Sequence, residues 1–191
     1  MSMDKDAFWA LIDSVNREVD SADQKGILRV TQEKLLALSP EEITMWGNVQ
    51  YYYKDLADTS GVFAAACCLN DFMSDDGFTD FRMWLISRGK EVYLAALRDP
   101  DTLAGLNISE DTRFELYGYV SQGAYEKAGF ASNPWGAMAR SPLTPEQEEG
   151  IRAEIEYFPH HVDDIKIKGL LPNLYEKYAA PHQVRFTYQQ G

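Results

Sequence analysis

Residues 38–56 read LSPEEITMWGNVQYYYKDL. Ser followed by Pro, with Glu three places on, is the local signature of a helix start. Ser39 caps the helix, Pro40 takes the first helical position where no N–H is needed, and Glu42 reaches back to the cap. Leu38 before the cap and Ile43 after it complete a hydrophobic staple. The helix that opens here is apolar on two sides: Ile43, Trp46, Gln50 and Tyr53 form one stripe, and Met45, Val49, Tyr52 and Leu56 another. That spacing predicts a central helix with neighbours on both faces.

Upstream, Phe8, Leu11, Ile12, Val15 and Val19 follow helical spacing after a cap at Asp4 or Asp6, and Ile27, Leu28, Leu35 and Leu38 follow a polar break at 20–24. Downstream, an Ala- and Cys-rich helix is expected over 61–72, turn chemistry at Ser74-Asp75-Asp76-Gly77, and a helix carrying Phe78, Phe81 and Leu85 that Gly89 breaks. Asp99-Pro100-Asp101 stops the next helix and caps a short successor. Residues 111–128 read as one long helix with Phe114, Tyr117, Ser121, Ala124 and Ala128 in line, ending in a left-handed Gly129 cap followed by Phe130. Residues 133–142 read as a loop, Thr144-Pro145-Glu146-Gln147 as a second capping box, and Leu174, Tyr175 and Tyr178 mark a tail helix over 172–179. Only Val184–Tyr188 alternates like a strand. The expectation is an all-α globular fold of about eight or nine helices, with a minor strand near the C-terminus. It divides into a core domain over 1–130 and an acidic helical extension over 131–191 packed on that core.

Composition bounds the function. The 191 residues carry 18 Lys+Arg against 30 Asp+Glu, a net charge of −12, and 45% are hydrophobic, the mix of a soluble globular chain. The acid is spread over both halves, so a nucleic-acid backbone meets repulsion wherever it approaches, whereas a basic protein partner is attracted. Half of the excess lies in 144–164, where a solvated helix face or a docking surface for a basic partner are the two readings. The longest apolar run, Val62–Leu69, falls far short of the roughly 20 residues that cross a bilayer, and the acidic first thirty residues do not resemble a secretory leader. A cytoplasmic protein is expected. Cys67 and Cys68 are adjacent within an apolar run and read as two small core side chains in a reducing compartment.

No Gly-x-Gly-x-x-Gly, P-loop, His-Glu-x-x-His or paired Cys-x-x-Cys occurs, and no cofactor is expected. Reading Asp75-Asp76-Gly77 as a calcium loop puts Phe72 and Met83 at ligand positions, which rules it out. His160 and His161 lie four and three residues before Asp164, but two ligands do not make a metal site, and His182 stands apart.

The segment 70–91, NDFMSDDGFTDFRMWLISRGKE, concentrates the remaining chemistry. Asp71, Asp75, Asp76 and Asp80 are four carboxylates in ten residues. Asp80, Trp84 and Arg88 fall at i, i+4 and i+8, so one helix face stacks an acid, an indole and a guanidinium, with Arg88 over the Trp84 ring. Arg82 lies off that column and is expected to reach back to Asp75 or Asp76. Trp and Arg are favoured anchors of binding sites, and crowded carboxylates can raise a pKa into the range of acid–base work. Asp75, Asp76, Asp80, Arg82, Trp84 and Arg88 are therefore the candidate site residues.

Ser74-Asp75-Asp76-Gly77-Phe78, Phe81-Arg82, Trp84-Leu85-Ile86, Arg88-Gly89-Lys90 and Asp99-Pro100-Asp101 resemble the signature of an uncharacterised bacterial family, domain of unknown function 4240. The opening Phe8-Trp9-x-Leu11-Ile12 resembles that family's start, and Met83 stands where the family pattern has a smaller residue. The resemblance implies a cytoplasmic helical protein and supplies no activity, substrate or catalytic residue. Two functions are then in contention, with a scaffold or regulator whose only requirement is the fold as a third. One is a non-catalytic acidic module, immunity-like or regulatory, that binds a basic protein. The other is a small-molecule enzyme with Asp75, Asp76 or Asp80 as base and Arg82 or Arg88 holding an anionic substrate.

Overall fold

The capping box at Ser39 forms as its residues dictate: Ser39 Oγ accepts from Glu42 N, and Glu42 returns a carboxylate oxygen to Ser39 N at 3.0 Å. The helix it opens, α3 (Pro40–Leu56), is the axle of the molecule. Ile43, Trp46, Gln50 and Tyr53 are wholly buried along it, and it packs against α1 (Lys5–Asn16), α5 (Asp75–Ser87), α8 (Val120–Lys127) and α9 (Pro134–Arg140). The computed structural model describes residues 3–70, 73–130, 133–163 and 165–179. Among these the structure is all-α, with no strand. The strand-like stretch 184–188 and His182 lie outside the described residues.

Each early element begins where its polar residue can cap it. Asp4 accepts from Asp6 N and Ala7 N ahead of α1, Asp23 accepts from Gly26 N ahead of α2 (Gln24–Leu35), and Thr59 accepts from Val62 N ahead of α4 (Ser60–Leu69). Phe8, Trp9, Trp46, Tyr53 and Tyr93 then gather between α1, α3 and α6 (Lys90–Arg98), with ring centroids about 5 Å apart. Such pairs each add about 0.5–1.5 kcal/mol beyond their buried area. Cys67 and Cys68 are free and buried on α4, and burial pushes both thiols up to about 12, far from a reactive thiolate.

Four local readings need correction. Ser74 is the N-cap of α5, its Oγ accepting from Gly77 N, so Asp75, Asp76 and Gly77 form the first helical turn rather than a separate turn. The single helix expected over 111–128 is two, α7 (Glu115–Gly118) and α8, interrupted at Tyr119. Gly118, just before the interruption, packs on α5: a Cβ there would lie 3.4 Å from Met83 Cε, an ordinary van der Waals contact. Ala128 is exposed beyond the buried line, although Gly129 does adopt φ +77° and Phe130 packs on Tyr125. Residues 133–142 are not a loop: Asn133 caps α9 by accepting from Trp135 N and Gly136 N, and Pro134 fills its first turn. There the loop-forming residues serve as helix starters, because Ala137 and Met138 have a surface to bury against.

Beyond α9, Thr144 forms its capping box with Gln147 and opens α10 (Pro145–Arg152). Two short helices, α11 (Ile167–Leu170) and α12 (Pro172–Leu174), lead into a π-helical turn at Tyr175–Ala179. Ile151, Val162, Ile167, Leu171 and Leu174 join the same buried cluster as the N-terminal aromatics.

Candidate functional site

The end of α5 is shaped by Gly89. Its φ of +96° turns the chain directly into α6, and a Cβ there would lie 2.8 Å from Asp13 Oδ1. A side chain would be strained in that backbone region and would also collide with α1. The turn leaves Arg88 pointing back along α5, its guanidinium carbon 5.2 Å from the Trp84 ring centroid, as the i, i+4 spacing predicts. Phe81 stacks against the same indole at 5.3 Å, and Trp84 is wholly buried.

The acid of this column is not Asp80. Trp84 Nε1 donates to Glu110 Oε1 at 3.2 Å and Arg88 Nη1 donates to the same oxygen at 3.1 Å, while Ser109 N donates to Glu110 Oε2 at 3.1 Å. Arg88 also donates to Ser21 O through Nη1, and to Ser87 Oγ through Nε and Nη2. The side chains of Arg88 and Glu110 are only 5% and 8% exposed, so this is a buried ion pair. Burial lowers the Arg88 pKa and the Glu110 charge opposes that; a guanidinium stays protonated regardless. Taking one partner from such a pair strands the other charge at about 3–5 kcal/mol.

Above the pair lies a cavity of about 590 Å³, within the range of ligand-holding clefts. The end of α1 and the turn after it form one wall with Asn16, Asp20 and Ser21, and the 106–110 loop forms the other with Asn107 and Ser109. Val92, Leu106 and Ile108 are its apolar lining. The loop wall is held from behind by the C-terminal turn. Lys177 Nζ donates to Ala104 O and Leu106 O at 2.9 and 2.7 Å, Tyr178 Oη donates to Leu106 O at 3.0 Å, and Ile108 N donates to Tyr178 Oη at 3.4 Å.

The other candidates from the 70–91 segment separate by face and exposure. Asp75 and Asp76 are exposed in the first turn of α5, where a helix dipole favours carboxylates. Asp80 is half-buried next to them; burial, with Glu115 and Asp76 nearby, raises its pKa. None of the three lines the cavity. Arg82 does not reach Asp75 or Asp76. It pairs with Asp58 at 3.2 Å, donates to Lys54 O and Thr79 Oγ1, and lies over the Phe78 ring at 4.6 Å, binding α5 to the end of α3. The convergence of Asp75, Asp76 or Asp80 with Arg82 or Arg88 in one cleft, which the expected base chemistry on an anionic substrate would require, is not found. Trp84 is likewise no exposed anchor; it serves Glu110 from below. Asp71 and Asp164 lie outside the described residues, and the His160 ring stands edge-on to Phe158 at 5.3 Å.

Glu110 is the residue that sequence reasoning misses. It sits in an irregular loop more than 20 positions from Trp84 and Arg88, so neither helical nor strand periodicity links them. A second, partly buried acid, Glu154, stands in the sequence only as one member of an acidic stretch. It accepts from Lys5 Nζ at 3.1 Å, Lys90 Nζ at 2.8 Å and, closely, from Tyr53 Oη. Burial alone would raise its pKa; these hydrogen bonds outweigh it and hold the carboxyl below the usual range.

No curated protein and no solved structure matches the chain. The family described as Protein of unknown function (DUF4240) matches residues 3–127, a span holding α1 to α8 and every residue that lines the cavity. With well over half of its length matched, the chain belongs to the DUF4240 family.

Proposed function

We propose that the protein is a non-catalytic binding module that recognises a basic protein through the cavity between the 17–23 turn and the 106–110 loop. The observation that carries this reading is the cavity itself, floored by the buried Arg88–Glu110 pair and opening beside Asp20. An ion pair set under a cleft is costly to bury, and it holds the cleft's wall in one geometry. The net charge of −12 supports the basic character of the partner, since a field of that sign speeds association with cationic surfaces. Restraint of a basic effector, or regulation by occupying its cationic surface, is the biological form such a module takes. The buried, unreactive thiols of Cys67 and Cys68 suit the reducing cytoplasm.

The test is affinity capture from the native host with tagged full-length protein at low and high salt, beside an Asn107→Trp variant. Asn107 is exposed on the cavity wall, so the indole fills the opening without disturbing the core. A basic protein retained at low salt, released at high salt and lost from the variant supports the reading. Absence of any salt-sensitive partner overturns it.

A further inference from the structure

The hydrogen-bonding groups left over on the cavity walls point to its occupant, taking the cavity as the recognition site proposed above. Arg88 is spent inward: four of its five N–H groups already serve Ser87 Oγ, Glu110 and Ser21 O. Its charge is answered by Glu110 at 3.1 Å. It is therefore part of the floor rather than a free anion hook.

The surplus is in acceptors. Asp20 Oδ1 holds Ala22 N–H at 2.8 Å, leaving its second oxygen, and Glu110 Oε2 holds Ser109 N–H with a lone pair to spare. Asn16 commits its amide nitrogen to Ser87 O, leaving a carbonyl acceptor on the same wall. Among the described residues no lysine lines the cavity, and its ionised side chains are Asp20, Glu110 and Arg88, an excess of one negative charge. Val92, Leu106 and Ile108 supply apolar surface of the kind that covers a methylene stem.

We propose that the cavity takes the end of an alkyl cation: a primary ammonium or guanidinium on a methylene chain, its charge set against Asp20 and its stem along Val92, Leu106 and Ile108. A lysine or arginine side chain of the partner carries this chemistry, and so does a free polyamine.

The test is calorimetric titration of the full-length protein at low salt with three probes: N-acetyl-lysine methylamide, spermidine, and glutarate as an anion of similar length. Both cations are expected to bind and glutarate is not. Asp20→Asn keeps the acceptor for Ala22 N–H while removing the charge, so it should leave the circular dichroism spectrum and melting temperature unchanged. It should weaken cation binding about fivefold, the worth of a partly exposed charge. If the lysine amide also displaces a captured protein partner, the side chain is the source; if spermidine binds and nothing displaces or is captured, the source is the free amine. Absence of cation binding, preference for glutarate, or an Asp20→Asn variant of unchanged affinity overturns the proposal. A partner lost on Asn107→Trp but indifferent to Asp20→Asn and to both cations would overturn this inference alone and leave the binding-module reading standing.

Discussion

Glu110 and Glu154 are both acids drawn into the protein, and they are held in opposite ways. Glu154, its side chain 14% exposed, receives two lysines and a tyrosine from three elements of the core. Both lysines meet one of its oxygens and Tyr53 the other, and Lys5 and Lys90 each keep 30% of their side chains in solvent. It is a clasp that ties the end of the α10 region to α1, α3 and α6. Glu110 receives one guanidinium, one indole N–H and one backbone N–H, and a cavity of about 590 Å³ stands over it. A carboxylate already answered by two cations has its charge spent within the fold. One that is oriented from below, under an open cleft, still has something to offer from above.

That contrast is broken most forcefully by neutralising each acid. Glu110→Gln leaves the Arg88 guanidinium buried without its counter-charge and should cost about 3–5 kcal/mol in urea denaturation. Glu154→Gln leaves two lysines that can swing into water, and should cost only about 1–2 kcal/mol. Equal losses would mean that the two acids do the same work. Because Glu110→Gln could unfold the chain outright, the double variant Arg88→Met with Glu110→Gln is the sharper measurement. Removing both charges should recover much of the loss, as it does when an ion pair is replaced by uncharged neighbours.

Next in size is Gly89→Ala. At φ +96° a methyl group is strained, and it would also press on Asp13, so about 1–3 kcal/mol of stability should be lost. The loss should come with a displaced Arg88. Hydrogen exchange at Ser109, whose N–H holds Glu110, would then speed up while the Glu154 clasp stays protected.

The elements of the fold are largely legible in the sequence, the site only in part. Capping residues and helical stripes act over a few positions, so Ser39, Thr144 and the 43–53 stripe can be read directly. Trp84 under Arg88 is legible for the same reason, since i and i+4 on a helix must meet. Asp80 has the i position of that column, but its neighbours are Asp76, Glu115 and Arg113, and the acid that does meet Trp84 and Arg88 arrives on a distant loop. Arg82 has acids within reach in its own helix and instead finds Asp58 at the end of α3. Chain pairing at long range has no period to betray it. Residues 133–142 mislead for a different reason: Asn, Pro and Gly signal both loops and helix starts, and only the buried contact of Ala137 and Met138 decides between them.

Acid titration tests the Glu154 clasp by a smaller effect. The folded-state pKa of Glu154 is held below its ordinary 4.5 by Lys90, Tyr53 and Lys5 against the push of burial. A depressed acid contributes stability that is fully present above the unfolded value and disappears as pH falls through the folded one. Wild-type stability should therefore drop on acidification below about 4.5 by more than that of Glu154→Gln, whose acid limb should be flatter. Parallel curves for the two proteins would show that the clasp is not charged in the way its geometry requires.

The smallest effect bears most directly on how the cavity is held. Tyr178 Oη gives a hydrogen bond to Leu106 O and accepts one from Ile108 N, two contacts on the wall opposite Asp20. Tyr178→Phe removes the hydroxyl alone and should cost about 0.5–1 kcal/mol, since the freed carbonyl and N–H stand near water and Lys177 still holds Leu106 O. Global melting will register little. Local opening should register more: the Ile108 amide loses its acceptor, so its exchange should accelerate while amides around Glu154 do not change. If the wall shapes the cleft, cation affinity should fall together with that protection, even though Tyr178 does not line the cavity. Faster Ile108 exchange with unchanged affinity would mean that the wall can loosen without consequence, and that recognition depends on the floor and Asp20 alone. Unchanged exchange would show that Lys177 by itself secures the loop, reducing the tyrosine to packing.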